Sequence, residues 1–179
     1  MKTLQIFGMF LFAILQVSCH SEPSLQKYFV ENTENKNFVA LDVSPSILNL
    51  DATKLTPEQN KAFASFEKIN VLAFKVTDKN KADFEMERSK VGAILKEEKY
   101  QQLMKFGSGK EGASVSFVGD DEHIQEFVLY ANKAENGFAV VRILGKDMNP
   151  TAIVSMIDVI KNSKIDLEQL KPLQELLKK

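Results

Sequence analysis

The sequence predicts an α+β fold: a two-layer sandwich with helices on one face of a mixed sheet of about five strands, the last three forming an antiparallel meander. Three observations carry this. Residues 113–144 hold three runs of strand-forming residues separated by turn-sized gaps, and upstream of them strand-like and helix-like patterns alternate. The pairs Thr56-Pro57 and Asn149-Pro150 each join a capping side chain to a proline that can open a helix. With 179 residues, the chain supplies one domain of ordinary size once a leader is set aside.

The leader comes first. Met1-Lys2-Thr3 precedes an uncharged apolar run at 4–15 that is too short to span a bilayer and fits a secretory signal peptide over residues 1–18. Cys19 is the sole cysteine, so it has no intramolecular disulfide partner. Directly after Ser18 it resembles the acylated cysteine of bacterial lipoproteins, although Gln16 stands where leucine is usual and Val17 is bulkier than common there. The expectation is a lipid anchor on Cys19 and a protein of the periplasm or outer membrane; cleavage nearby without acylation would leave it soluble in the periplasm. Residues 19–36 are then a lipidated tether and a short helix marked by Leu25, Tyr28 and Phe29, and residues 37–179 the single domain. Loss of 1–18 removes one charge, Lys2, and leaves 22 basic against 24 acidic residues. Such a balance offers no basic field, so no nucleic-acid partner is expected.

Phe38 to Val43 reads as a first strand, broken by Ser44-Pro45-Ser46. Residues 47–50 fit an edge extension or a helical turn equally well. Thr56-Pro57-Glu58-Gln59 carries a capping box, and Phe63, Phe66 and Ile69 fall on one side of the helix it starts, with Asn70 to close it. Residues 71–76 form a second strand and Asp78 and Asn80 a loop. A long helix is expected over 82–106, burying Phe84, Val91, Leu95, Leu103 and Met104 and stopping at Gly107, with Glu97-Glu98 and Tyr100 able to bend or split it. A right-handed parallel crossover would then join 71–76 to 113–118.

In the meander, Ala113, Val115 and Phe117 alternate with serines, residues 124–131 are more uniformly apolar, and Asn136-Gly137 is a strong hairpin signal. On the returning strand Ala139, Val141 and Ile143 share one face and Arg142 interrupts the other. After Pro150 a helix buries Ile153, Met156, Ile157 and Ile160. A last segment capped by Asp166 carries Leu167, Leu170, Leu173, Leu176 and Leu177, with Pro172 able to divide it.

Three stretches together resemble a bacterial cell-envelope family. They are Phe66-Glu67-Lys68-Ile69-Asn70-Val71-Leu72, Tyr100-Gln101-Gln102-Leu103-Met104, and the hairpin running through Val140-Val141-Arg142-Ile143-Leu144-Gly145-Lys146-Asp147-Met148 into the helix at Pro150. The family is the one catalogued as domain of unknown function 4252, found chiefly among Bacteroidota and commonly preceded by a lipoprotein-type leader. The likeness covers roughly residues 25–162. It implies an envelope address and brings no established activity, so no functional residues carry over.

Signals of chemistry are weak. Gly107-Ser108-Gly109-Lys110 lacks the glycine and the hydroxyl residue of a phosphate loop and the strand-to-helix setting, so it reads as a mobile loop. Asp120-Asp121-Glu122-His123 gathers carboxylates and an imidazole, yet neighbours on a turn rarely aim at one centre, and a solvated turn is the better account. No metal and no cofactor is expected. Arg142 could receive an anion or a partner's carboxylate; the blander reading lays it along the sheet with its head in water.

Two functions from different classes remain. The leading one is a non-enzymatic envelope lipoprotein that binds a protein or a small ligand. The alternative is an envelope hydrolase using carboxylates or a Ser-Lys pair, which needs at least three of Asp42, Asp51, Glu85, Glu87, Asp120, His123 and Arg142 to line one cavity. A regulatory role in envelope signalling is a third option.

Overall fold

In the computed structural model, which describes residues 23–151 apart from 49, 109–110 and 121–122, the chain starts with α1 (Leu25–Asn32) and β1 (Phe38–Val43). Two short 3₁₀ turns follow, Pro45–Leu48 and Ala52–Lys54, then α2 (Pro57–Ala64), β2 (Phe66–Lys75) and α3 (Lys81–Ile94). The rest is strand: β3 (Gln101–Gly107), β4 (Glu111–Gly119), β5 (Ile124–Lys133) and β6 (Gly137–Met148). These form one 6-stranded open sheet in the order β1-β2-β6-β5-β4-β3, with every pair antiparallel. The fold is α+β, as expected.

The Asn136-Gly137 turn sets the register. Gly137 sits at φ 127, and a Cβ there would strike the Phe74 carbonyl oxygen, so the turn needs glycine. From it Lys133 pairs with Gly137, Val128 with Arg142 and Phe127 with Ile143. Alternation then places Phe138, Val140 and Arg142 on one face of β6 and Val141 and Ile143 on the other.

The expected mixed sheet is not formed. β2 lies between β1 and β6 and runs antiparallel to both, so no parallel crossover links it to β4. The expected long helix is split before Tyr100, and the part beyond is a strand rather than helix. α3 ends at Ile94, where the amides of Leu95, Lys96 and Glu97 bond back to Val91, Ala93 and Ile94, and Tyr100 is buried just before β3. β3 is an edge strand with exposed or half-buried side chains. Such a strand shows no clean two-residue alternation, which let a helical period be drawn through Leu103 and Met104.

A second correction concerns Phe66 and Ile69. α2 closes at Ser65, whose amide and hydroxyl bond back to Lys61 and Ala62, and β2 starts at the next residue. A bulge between Phe66 and Lys68 shifts the register against β6, so Phe66 and Ile69 reach the same core three residues apart without a helix between them. The bulge seats Gly145 so tightly that a Cβ would meet the Ser65 carbonyl oxygen.

Both faces of the sheet carry apolar clusters. One joins Leu25, Tyr28 and Phe29 of α1 and Phe84, Val91 and Ile94 of α3 to Phe38, Leu72, Phe74, Val128, Phe138 and Val140. The other joins Ala62 and Phe63 of α2 to Phe66, Ile69, Val71, Phe117, Phe127, Ile143 and Met148. Helices therefore pack into both clusters rather than on one face. The helix expected at Asn149-Pro150 begins as read, with the Thr151 amide donating to Asn149 Oδ1 at 2.8 Å. The further helices expected beyond it, at 152–179, lie outside the described residues.

Candidate functional site

The site starts with α1, a helix of 8 residues too short to be stable alone. Ser24 caps it, and its buried residues seat it on the sheet: the Leu25 amide donates to the Tyr100 hydroxyl at 3.0 Å and the Tyr28 hydroxyl to Glu87 Oε2 at 2.8 Å. Burial, reinforced by Glu87, pushes the Tyr28 hydroxyl well above its ordinary range. Glu87, itself buried, is also met by Lys90 at 2.7 Å.

Arg142 is 4 % exposed and fixes the other side of α1. Its Nε and Nη2 donate to the two oxygens of Glu126 at 2.7 and 3.1 Å, its Nη1 donates to Gln26 Oε1 at 2.8 Å, and its guanidinium lies 5.3 Å from the Phe29 ring centroid. The bland reading of Arg142, a head held out in water, is overturned. A charge taken this far from water must be paired and hydrogen-bonded, and Glu126 on the neighbouring strand does both.

Between α1 and the sheet is a cleft of ≈ 470 Å³. α1 contributes Gln26, Phe29 and Val30, its C-cap Thr33 follows, and the strands contribute Asp42, Lys68, Asn70, Arg142 and Leu144 among others. Cross-strand register assembles the polar side: Asp42 stands opposite Asn70 and Asn70 opposite Arg142. Lys68 Nζ sits 2.7 Å from Asp42 Oδ2, and Asn70 Nδ2 donates to Asp42 Oδ1. The Lys68 contact, more than the Asn70 amide, holds the Asp42 carboxyl below its usual range.

The sequence-predicted residues are therefore dispersed. Asp42 and Arg142 line this cleft. Asp51 serves its own turn through Thr53, Glu85 meets Arg88 on the α3 surface, and Glu87 is covered by Tyr28. Asp120 and His123 face each other at 3.2 Å in an exposed turn, while Asp121 and Glu122 lie outside the described residues. Gly107 ends β3 at φ 75 in a strand-to-strand connection, and no three His, Cys, Asp or Glu side chains converge among the described residues. Cys19 lies outside them too. Sequence reading missed Gln26, Lys68, Asn70 and Glu126. Glu126 was within reach: counting back from the Gly137 turn sets it diagonally across from Arg142 on the same face.

A single antiparallel sheet with a helix-walled, mixed-polarity recess defines the molecule as a small α+β domain with a ligand-sized cleft. A family model described as "Domain of unknown function (DUF4252)" matches residues 28–156, and the chain belongs to that family. No curated protein and no solved structure matches it.

Proposed function

We propose that this is an exported, lipid-anchored envelope protein whose domain binds a protein or small ligand in the cleft between α1 and the sheet, without catalysing a reaction. The cleft carries this reading. Its volume falls in the range of ligand sites, and its lining divides evenly between apolar residues and polar ones. Its charged groups are already answered, Arg142 by Glu126 and Asp42 by Lys68, which suits recognition better than proton transfer. Two of the seven candidate titratable residues line it, short of the three that the hydrolase reading needs.

The export reading rests on the sequence, with Cys19 as the acylated residue. No helix among the described residues is long and apolar enough to cross a membrane. A tether over 19–24 spans at most about 20 Å, so α1 and the cleft beside it would sit close to the anchoring leaflet. Replacing Cys19→Ala is expected to abolish fatty-acid labelling and move the protein from the membrane fraction to the soluble one. Unchanged labelling would reject the anchor.

A further inference from the structure

We infer that the cleft takes a monocarboxylate with an apolar tail, the carboxylate seated on the two N–H donors that Arg142 leaves unused and the tail lying against Phe29, Val30 and Leu144. This rests on reading the cleft as a ligand site and names the chemistry it would select.

A guanidinium has five N–H donors, and among the described residues Arg142 spends three, two on Glu126 and one on Gln26. Glu126 occupies the side formed by Nε and Nη2, which leaves one hydrogen on Nη1 and one on Nη2. Arg142 is buried yet belongs to the cleft lining, so a ligand in the cleft is placed to answer those donors. A carboxylate, with two charged acceptor oxygens, answers both donors better than a single neutral acceptor.

The second cation is Lys68, half-exposed and 2.7 Å from the exposed Asp42. An ion pair in that setting is worth little, so Lys68 can turn to an incoming carboxylate at small cost. Glu126 already balances the Arg142 charge and Asp42 that of Lys68, so what the cleft offers an incoming carboxylate is hydrogen-bond donors and a lysine that can turn to it. The opposite wall brings two apolar side chains beside the polar Gln26 and Thr33: Phe29 is held under the guanidinium, and Val30 is 67 % exposed on α1. A fatty acid and a peptide C-terminus share this chemistry.

The test uses the exported Cys19→Ala protein, free of detergent, titrated with octanoate and with N-acetyl-leucine while backbone amides are followed by NMR and heats by calorimetry. Saturable binding of either carboxylate at one site, with shifts centred on α1, β1, β2 and β6, is expected; which of the two binds tighter separates the lipid from the peptide source. Octanamide should bind about tenfold more weakly or worse, since it loses charge-assisted hydrogen bonds. Lys68→Met, on the surface, should weaken octanoate about threefold to fivefold. Arg142→Met combined with Glu126→Leu removes the buried pair without orphaning a charge and should abolish binding; if that variant fails to fold, Lys68→Met decides. Equal affinity for octanamide, no effect of Lys68→Met, or shifts elsewhere would overturn the inference. If neither carboxylate binds while another molecule still occupies the cleft, the carboxylate assignment falls and the ligand-site reading survives.

Discussion

Arg142 is answered from three directions: by Glu126 on the adjacent strand, by Gln26 on α1 and by the face of Phe29. Alternation on β6 placed it on a definite face, but the sequence says nothing of what lies over that face, and Gln26 arrives from 116 residues away. That distance is why a solvated arginine looked reasonable and why the cleft was not legible. Glu126→Ala should cost about 3–5 kcal/mol in urea unfolding, because it leaves a buried guanidinium unpaired, whereas Arg142→Met with Glu126→Leu should cost less than the single change. A double variant less stable than the single one would contradict the pairing.

At the level of elements, the strongest local signals held and the weak ones misled. The box read at Thr56-Pro57-Glu58-Gln59 is present, with the Gln59 amide donating to Thr56 Oγ1 at 3.2 Å and Gln59 Oε1 accepting from the Thr56 amide at 2.9 Å. Thr56→Ala should lower stability by about 1 kcal/mol, read from the shift of the denaturant midpoint at unchanged slope. The Asn-Gly turn likewise fixed the β5–β6 register. The errors fell where tertiary structure reinterprets spacing: a bulge made Phe66 and Ile69 look like a helical face, and an edge strand continued the apparent stripe of α3. Glycines separate these cases experimentally. Gly92 in α3 has open space around its Cβ position, so Gly92→Ala should stabilise by about 0.5–1 kcal/mol. Gly145→Ala should instead destabilise by about 1–3 kcal/mol, since the new methyl meets the Ser65 carbonyl across the bulge. A neutral Gly145→Ala would argue against that close approach.

For the whole molecule, the apolar cluster that joins α1 and α3 to one face of the sheet takes in all three of the chain's tyrosines. Burial raises Tyr28 and Tyr100 and pushes Tyr130 up to about 12. A hydroxyl that titrates later in the folded protein than in the unfolded chain contributes stability that is complete below about pH 10 and lost as pH rises above it. Thermal scans from pH 8 to 11 should therefore show falling stability toward the alkaline end, with tyrosinate absorbance appearing together with unfolding. Tyrosinate appearing in a still-folded protein near pH 10 would contradict it. The central claim is that the recess walled by α1 is where this domain meets its ligand. It is tested most directly by a photo-crosslinking residue placed at Val30 in the full-length protein in intact cells, with the comparably exposed edge-strand position Phe106 as control. A discrete adduct from position 30, absent from position 106 and diminished by Lys68→Met, is the predicted result; adducts of equal yield at both positions, or none at position 30, would contradict it.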